Sequence, residues 1–276
     1  MPASVREINF IRSDGDDSTG TGAPDAPYKT LDGGITNNQV GTTLRLCDTV
    51  NLAATGKTVS LTNRVVDGPG SLNMPNPNYK LTAKDCTIKC AAIWGNGTTD
   101  IKVNGSVYFK NCFISARVYI GLDSEYMSCR LSFVNCIQYW NSTGLTINTS
   151  ATAGEEIFFS AINSSFGSVD VTNLANQRVL WVVKNSSFAG QNILLNYLDS
   201  GSFVNSDFSF ANSNFNNNNN ALFYNCYFSR AVTNPPVNVM NIEQYAKDST
   251  VALAATMKKS FKRMMGPVKL ADVGRF

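Results

Sequence analysis

Apolar and polar residues alternate in short runs along most of the chain, and the runs end on one recurrent signal. The pattern apolar-x-Asn-(Cys or Ser)-x-apolar is clearest in Phe109-Lys110-Asn111-Cys112-Phe113-Ile114. It returns at 203–208 and 223–228, with close copies at 133–138, 161–166 and 183–188. A seventh copy, 83–88, has Asp85 in place of the asparagine. The central residues Asp85, Asn111, Asn135, Asn163, Asn185, Asn205 and Asn225 are 26, 24, 28, 22, 20 and 20 residues apart. Such a period is that of one coil of a solenoid, and its irregularity is what loops of differing length inserted at one corner produce.

Alternation puts the first and third residues after each asparagine on one side of a strand, so Cys112 and Ile114, or Ser186 and Phe188, should face inward together. The apolar residue two before the asparagine (Phe109, Phe133, Val183, Phe203, Phe223) lines the preceding sheet. The asparagine turns the corner, because it tolerates left-handed backbone and bonds to nearby backbone. Stacked asparagines can then bond to one another as a ladder, as they do in cross-β assemblies. The expected architecture is all-β: a single-stranded right-handed parallel β-helix over 44–240, an entry and cap segment at 1–43, and a partly helical tail at 241–276.

This pattern resembles the right-handed parallel β-helix superfamily, which includes pectate-lyase-like enzymes and many bacteriophage surface proteins. The opening resembles their entry sequence: Ser13-Asp14-Gly15-Asp16-Asp17-Ser18, then Gly20, Gly22, Pro24 and Ala26-Pro27-Tyr28-Lys29-Thr30-Leu31. There an Asp/Gly-rich loop leads through a Pro-aromatic-x-Thr turn into a capping segment, placed here at 24–40. One fold hosts many activities, so the resemblance speaks first to architecture.

Beyond Pro235-Pro236 the pattern changes. Leu253, Met257, Phe261 and Met264 fall on one helical face, and Gly266-Pro267 would end that helix. Residues 245–276 hold seven basic and two acidic residues, a local charge of +5 against +3 for the whole chain. Two readings of this tail are open. Its apolar face covers the last coil and the lysines are its solvated side, or Lys258, Lys259, Phe261, Lys262 and Arg263 dock the solenoid onto a larger acidic assembly.

The rest of the composition narrows the chemistry. There is no histidine, which excludes His-dependent nucleophile systems and His general bases. The seven cysteines lack CxxC pairing and read as free thiols of a protein made in a reducing cytoplasm. A phosphate-binding P-loop and an apolar stretch of membrane-spanning length are both absent from the sequence. A carbohydrate-active β-helix would need paired carboxylates, or a basic residue beside carboxylate-bound calcium. The solenoid's acidic residues (Asp85, Asp100, Asp123, Glu125, Glu155, Glu156, Asp170, Asp199, Asp207) form no matched pair by phase, and Asp207 is flanked one coil away by Ser187 and Tyr227. No catalytic, cofactor or metal residue is therefore assigned.

The sequon asparagines Asn163 and Asn185 are turn residues of the repeat. Tyr139-Trp140 could stack on sugars or pack beneath a loop. The leading expectation is a non-enzymatic structural protein of a bacteriophage virion, a capsid decoration protein or a short spike or fibre, made in the host cytoplasm without a signal peptide. The resemblance implies a homotrimer; capsid or other virion proteins are the expected partners, with a host-surface glycan as a further candidate ligand, while the small net charge and the lack of a long apolar stretch point to neither nucleic acid nor membrane. The competing expectation is a polysaccharide lyase, hydrolase or tailspike depolymerase.

Overall fold

A computed structural model describes residues 8–240, except 76–77, 96–98, 121–127, 139–144, 149–155, 168, 173–177, 189–192, 196–199, 209–212, 215–220, 229–231 and 234–238. The chain forms a parallel β-solenoid in which every paired strand runs parallel to its neighbours. Three faces recur in each coil. Face 1 begins with Ile8–Ile11 and Thr43–Leu46 and continues through Ser128–Val134, Glu156–Ile162, Arg178–Lys184, Ser200–Val204, Ala221–Tyr224 and Val239–Met240. Face 2 is a nine-stranded sheet running from Thr49–Asn51 to Tyr227–Phe228. Face 3 runs from Thr58–Thr62 through Arg117–Ile120 and Leu145–Asn148 to Val232–Thr233. Two long strands, Lys80–Ile88 and Asp100–Lys110, bend from face 3 into face 1 and join those faces in one sheet.

The corner between faces 1 and 2 is where the repeat acts. Asn111, Asn135, Asn163, Asn185, Asn205 and Asn225 all have φ between 50° and 54°, or 49° at Asn205. This left-handed region is costly for most L-residues but accessible to asparagine. Each side-chain amide donates to the carbonyl oxygen of the asparagine one coil earlier, from Asn135 Nδ2 to Asn111 Oδ1 (3.0 Å) through to Asn225 Nδ2 to Asn205 Oδ1 (2.7 Å). The turn thus orients a polar side chain outward, and stacking satisfies it.

The next residue turns inward and forms a column of small side chains: Cys90, Cys112, Cys136, Ser164, Ser186, Ser206 and Cys226, all buried. The serine hydroxyls donate to the carbonyl two residues back (Ser164 to Ile162, 2.9 Å; Ser186 to Lys184, 2.9 Å; Ser206 to Val204, 3.0 Å). They also accept amide N–H groups from the coil before, Cys136 N to Ser164 Oγ (3.1 Å) and Ser164 N to Ser186 Oγ (3.2 Å). A buried hydroxyl with both roles filled avoids the penalty of an unpaired polar group.

Behind this corner the core stacks in register. Phe109, Phe133, Ala161, Val183, Phe203 and Phe223 form one column of face 1, and Val107, Leu131, Phe159, Trp181 and Gly201 the next. Bulk alternates between them. A Cβ on Gly201 would stand 2.8 Å from Trp181 Cβ and 3.2 Å from the Phe203 ring, so the absent side chain leaves both residues their space. Phe188 and Phe208 stack at 4.8 Å and 3°, and Phe203 and Phe223 at 4.6 Å and 5°.

The first strand of the solenoid lies inside the expected 1–43 segment: Ile8–Ile11 pairs in register with Thr43–Leu46 and is already face 1. The sequence hides this because the early corners use Cys47-Asp48 and Gly68-Pro69-Gly70 in place of the asparagine motif. The entry loop is built on two aspartates. Asp16 accepts the amide and hydroxyl of Ser18 and the amide of Thr19, which hold its carboxyl well below the usual carboxylate range. Asp17 accepts the amides of Lys29 and Thr30 and the Thr30 hydroxyl. Thr30 then caps the helix Leu31–Thr36 by accepting Gly33 N (3.0 Å). Leu31 is fully buried, and the helix lies against the first two strands of face 1. Its far end is held by Arg64, a buried guanidinium that donates to Ile35 O, Asn38 O and Thr42 Oγ1. Burial lowers the Arg64 pKa from its ordinary value.

The tail 241–276, with its expected helix and the residues Lys258, Lys259, Phe261, Lys262 and Arg263, lies outside the described residues.

Candidate functional site

Asp85 does not belong to the asparagine column. It has φ 50°, but it turns the corner from face 3 into face 1, whereas Asn111 turns the corner from face 1 into face 2. The pairing of Lys80–Ile88 with Asp100–Lys110 shifts register at this point, from Lys84 opposite Asn104 to Cys86 opposite Val107. Asp85 Oδ1 therefore accepts the amide of Ser106 (2.8 Å) rather than an asparagine side chain. Gly105, at φ 59°, lies beneath the carboxylate, where a Cβ would collide with Oδ1. Asn63, at φ 49°, turns the same corner one coil before. The coil of Asp85 reaches the face 1–face 2 corner at Lys89-Cys90-Ala91, so the step from 85 to 111 was never a coil period.

Beside this displaced corner is a recess of about 260 Å³, open to solvent, on the outside of face 1. Asp85, Thr87, Ser106, Tyr108, Arg130 and Ser132 line it over three successive coils, with Cys86 and Val107 at its base. Strand alternation explains the set. Thr87, Tyr108 and Ser132 form one outward column and Ser106 and Arg130 another. The Arg130 guanidinium lies 5.2 Å from the centroid of Phe158, one coil further on, a cation–π arrangement that fixes its position.

The recess thus offers one carboxylate, one phenol, one guanidinium and three hydroxyls. Such a set donates and accepts hydrogen bonds to a polar ligand. Glycosidic hydrolysis uses two carboxyl groups ~5 to 9.5 Å apart, and the lining supplies Asp85 alone. Cys86 is held as the thiol, since burial pushes it up to about 12 and a thiol is a poor nucleophile. Among the described residues no group of three His, Cys, Asp or Glu could hold a metal ion, and no helix is long and apolar enough to cross a membrane.

All seven cysteines are free. Burial pushes Cys129 and Cys226 up to about 12, and raises Cys136 as well. Cys112 is raised by its hydrogen bond with Cys90, whose sulfur is 3.7 Å away.

The sequence pattern does not single out Arg130 or Tyr108, because it places Asp85, which lines the same recess, in the asparagine ladder. The small inward residue marks the true step: Cys90 to Cys112 is 22 residues, against the 26 counted from Asp85. Comparisons with protein-family models, curated proteins and solved structures return no match. The class the chain defines is thus set by its own geometry: a parallel β-solenoid with an asparagine-laddered corner.

Proposed function

We propose that this chain is a non-enzymatic structural protein of a bacteriophage particle, displayed on its surface as a decoration protein or a short spike or fibre. The observation that carries the reading is the unbroken asparagine ladder with its inner columns. The repeat's polar and aromatic residues serve to make a stiff rod, and the entry loop resembles that of phage surface β-helices. The basic tail, through Lys258, Lys259, Phe261, Lys262 and Arg263, supplies the attachment to an acidic partner on the particle. Mass spectrometry and cryo-electron microscopy of purified particles from the source test this directly. Density for the solenoid on the shell or tail is expected, with binding lost on deletion of 245–276; absence of the chain from every purified particle overturns the reading.

A second reading, a protein that binds or depolymerises a host-surface glycan, is favoured by the recess at Asp85, Tyr108 and Arg130. Incubation with host polysaccharides separates the two. New reducing ends or unsaturated sugars support depolymerisation, retention of intact polymer supports binding, and polymer neither cleaved nor retained supports the structural role.

A further inference from the structure

The asparagine ladder begins at Asn111, whose side-chain carbonyl accepts from Asn135. One coil earlier the same corner is Lys89-Cys90-Ala91, which has no carboxamide to carry the ladder on. At this step sulfur meets sulfur instead. Cys90 Sγ and Cys112 Sγ are 3.7 Å apart, and both side chains are buried in the inward column. Their further bonds are long thiol contacts to carbonyls, Cys90 to Ala92 O (3.5 Å) and Cys112 to Phe113 O (3.7 Å). The strands that follow hold the two coils in register, with Ala92 opposite Phe113 and Ile93 opposite Ile114. Neighbouring strands lie ~4.8 Å apart, within the ~4.4 to 6.8 Å that separates the Cα atoms of a disulfide. The next thiol of the column, Cys136, turns to Val134 O (3.4 Å), while Cys86 and Cys129 stand opposite Val107 and Ile157.

We propose that Cys90 and Cys112 are a redox-controlled staple between these coils, two thiols in a reducing medium and a disulfide once a low-molecular-weight disulfide oxidises them. The inference is independent of the virion reading. The thiolate of one cysteine attacks the oxidant's S–S bond, forming a mixed disulfide and expelling one small thiol. The thiolate of the other cysteine then attacks the protein sulfur and expels the second. One S–S bond forms in the protein as the oxidant's breaks, and net both protons and both electrons pass to the two small thiols. The hydrogen bond with Cys90, together with burial, keeps Cys112 in its thiol form, so exchange waits for the corner to open. The product is a covalent rung at a step the carboxamide rungs do not reach. Joining residues 22 apart, it also restricts the unfolded chain.

Glutathione disulfide is the probe, applied to the reduced full chain carrying C47S, which removes the one cysteine that is not buried. Of the six thiols then left from seven, two should be lost. Trypsin should release residues 90–102 joined to 111–117, and the urea midpoint should rise and return with dithiothreitol. C90S and C112S should each abolish the link and the rise with an unchanged far-ultraviolet dichroism spectrum, since serine fills the same column at Ser164, Ser186 and Ser206. C136S should keep both. The incubation is repeated in urea just below the unfolding transition, where the corner opens to the oxidant, and six thiols still titrating there overturn the inference. So do glutathione adducts without the link, a link from 111–117 to the peptide of Cys136, a link that leaves the midpoint unchanged, or a midpoint that rises equally in C90S.

Discussion

The two halves of the solenoid share one backbone plan and fill it differently. Before Asp100 the core is mainly aliphatic, with Leu44, Leu46, Leu61, Leu72, Leu81 and Ile93 beside two tyrosines, Tyr28 and Tyr79, and the corners use several turn chemistries. After it, the core is a continuous aromatic stack from Phe109 to Phe223, and every described face 1–face 2 corner is an asparagine in left-handed conformation. The first half gains its order from an anchored end, where Asp17, Thr30 and Arg64 lock the cap. The second half gains it from repetition. Parallel pairing alone is permissive about what lies inside; uniform columns make the register self-enforcing, because a slip of one residue would put the core phenylalanines outside.

Breaking an aromatic column should be the most damaging change. Phe203 is fully buried and contacts Trp181, Phe208 and Phe223, so F203A should lower unfolding free energy by ~3 to 5 kcal/mol, read from urea denaturation. In the first half, R64M tests the anchored end. It removes the donors to Ile35 O, Asn38 O and Thr42 Oγ1 and should cost ~1 to 3 kcal/mol, with amide exchange accelerated in residues 31–42 and little changed beyond residue 128.

Next in size is the corner itself. N163A loses a left-handed backbone preference and two side-chain hydrogen bonds, to Asn135 and from Asn185, about 2 kcal/mol in all. N163G should recover the backbone share and not the hydrogen bonds. Equal losses in both variants would show that φ is not what selects asparagine there.

The halves should also differ least in their response to alkali, since buried thiols occur in both. Cys86, Cys129 and Cys226 have folded pKa values near 12, above an unfolded value near 8.5. The folded state keeps these protons while the unfolded state releases them. Their contribution is therefore whole below about pH 8.5 and is lost as pH rises towards 12, at up to ~1.4 kcal/mol per thiol per pH unit. The urea midpoint should fall above pH 9 and hold steady just below it.

Much of the second half was legible in the sequence because each asparagine motif states a turn, an inward small residue and an inward large one within six positions. Asn111 and Phe109, or Asn205 and Phe203, could be placed on their faces without coordinates. The first half was harder for a physical reason. Cys47-Asp48 and Gly68-Pro69-Gly70 solve the same corner without a shared residue type, and Ile8–Ile11 carries no motif at all. Asp85 misled because left-handed turns occur at two corners, and residue type alone does not say which. The recess it forms with Arg130 depends on a register shift between Lys84 and Cys86, a property of paired strands that one strand's sequence does not display.

Successive coils stack in register along face 2. Ser71, Ser165, Ser187 and Asp207 occupy one column of that face, Ser71 being four, five and six strands from the others. Nitroxide labels on cysteines at 71/165, 71/187 and 71/207, with Cys47 replaced by serine, should give electron–electron distances near 19, 24 and 29 Å, growing by ~4.8 Å per coil. Distances that fail to increase in equal steps, or that are the same for two of the pairs, would contradict the in-register solenoid.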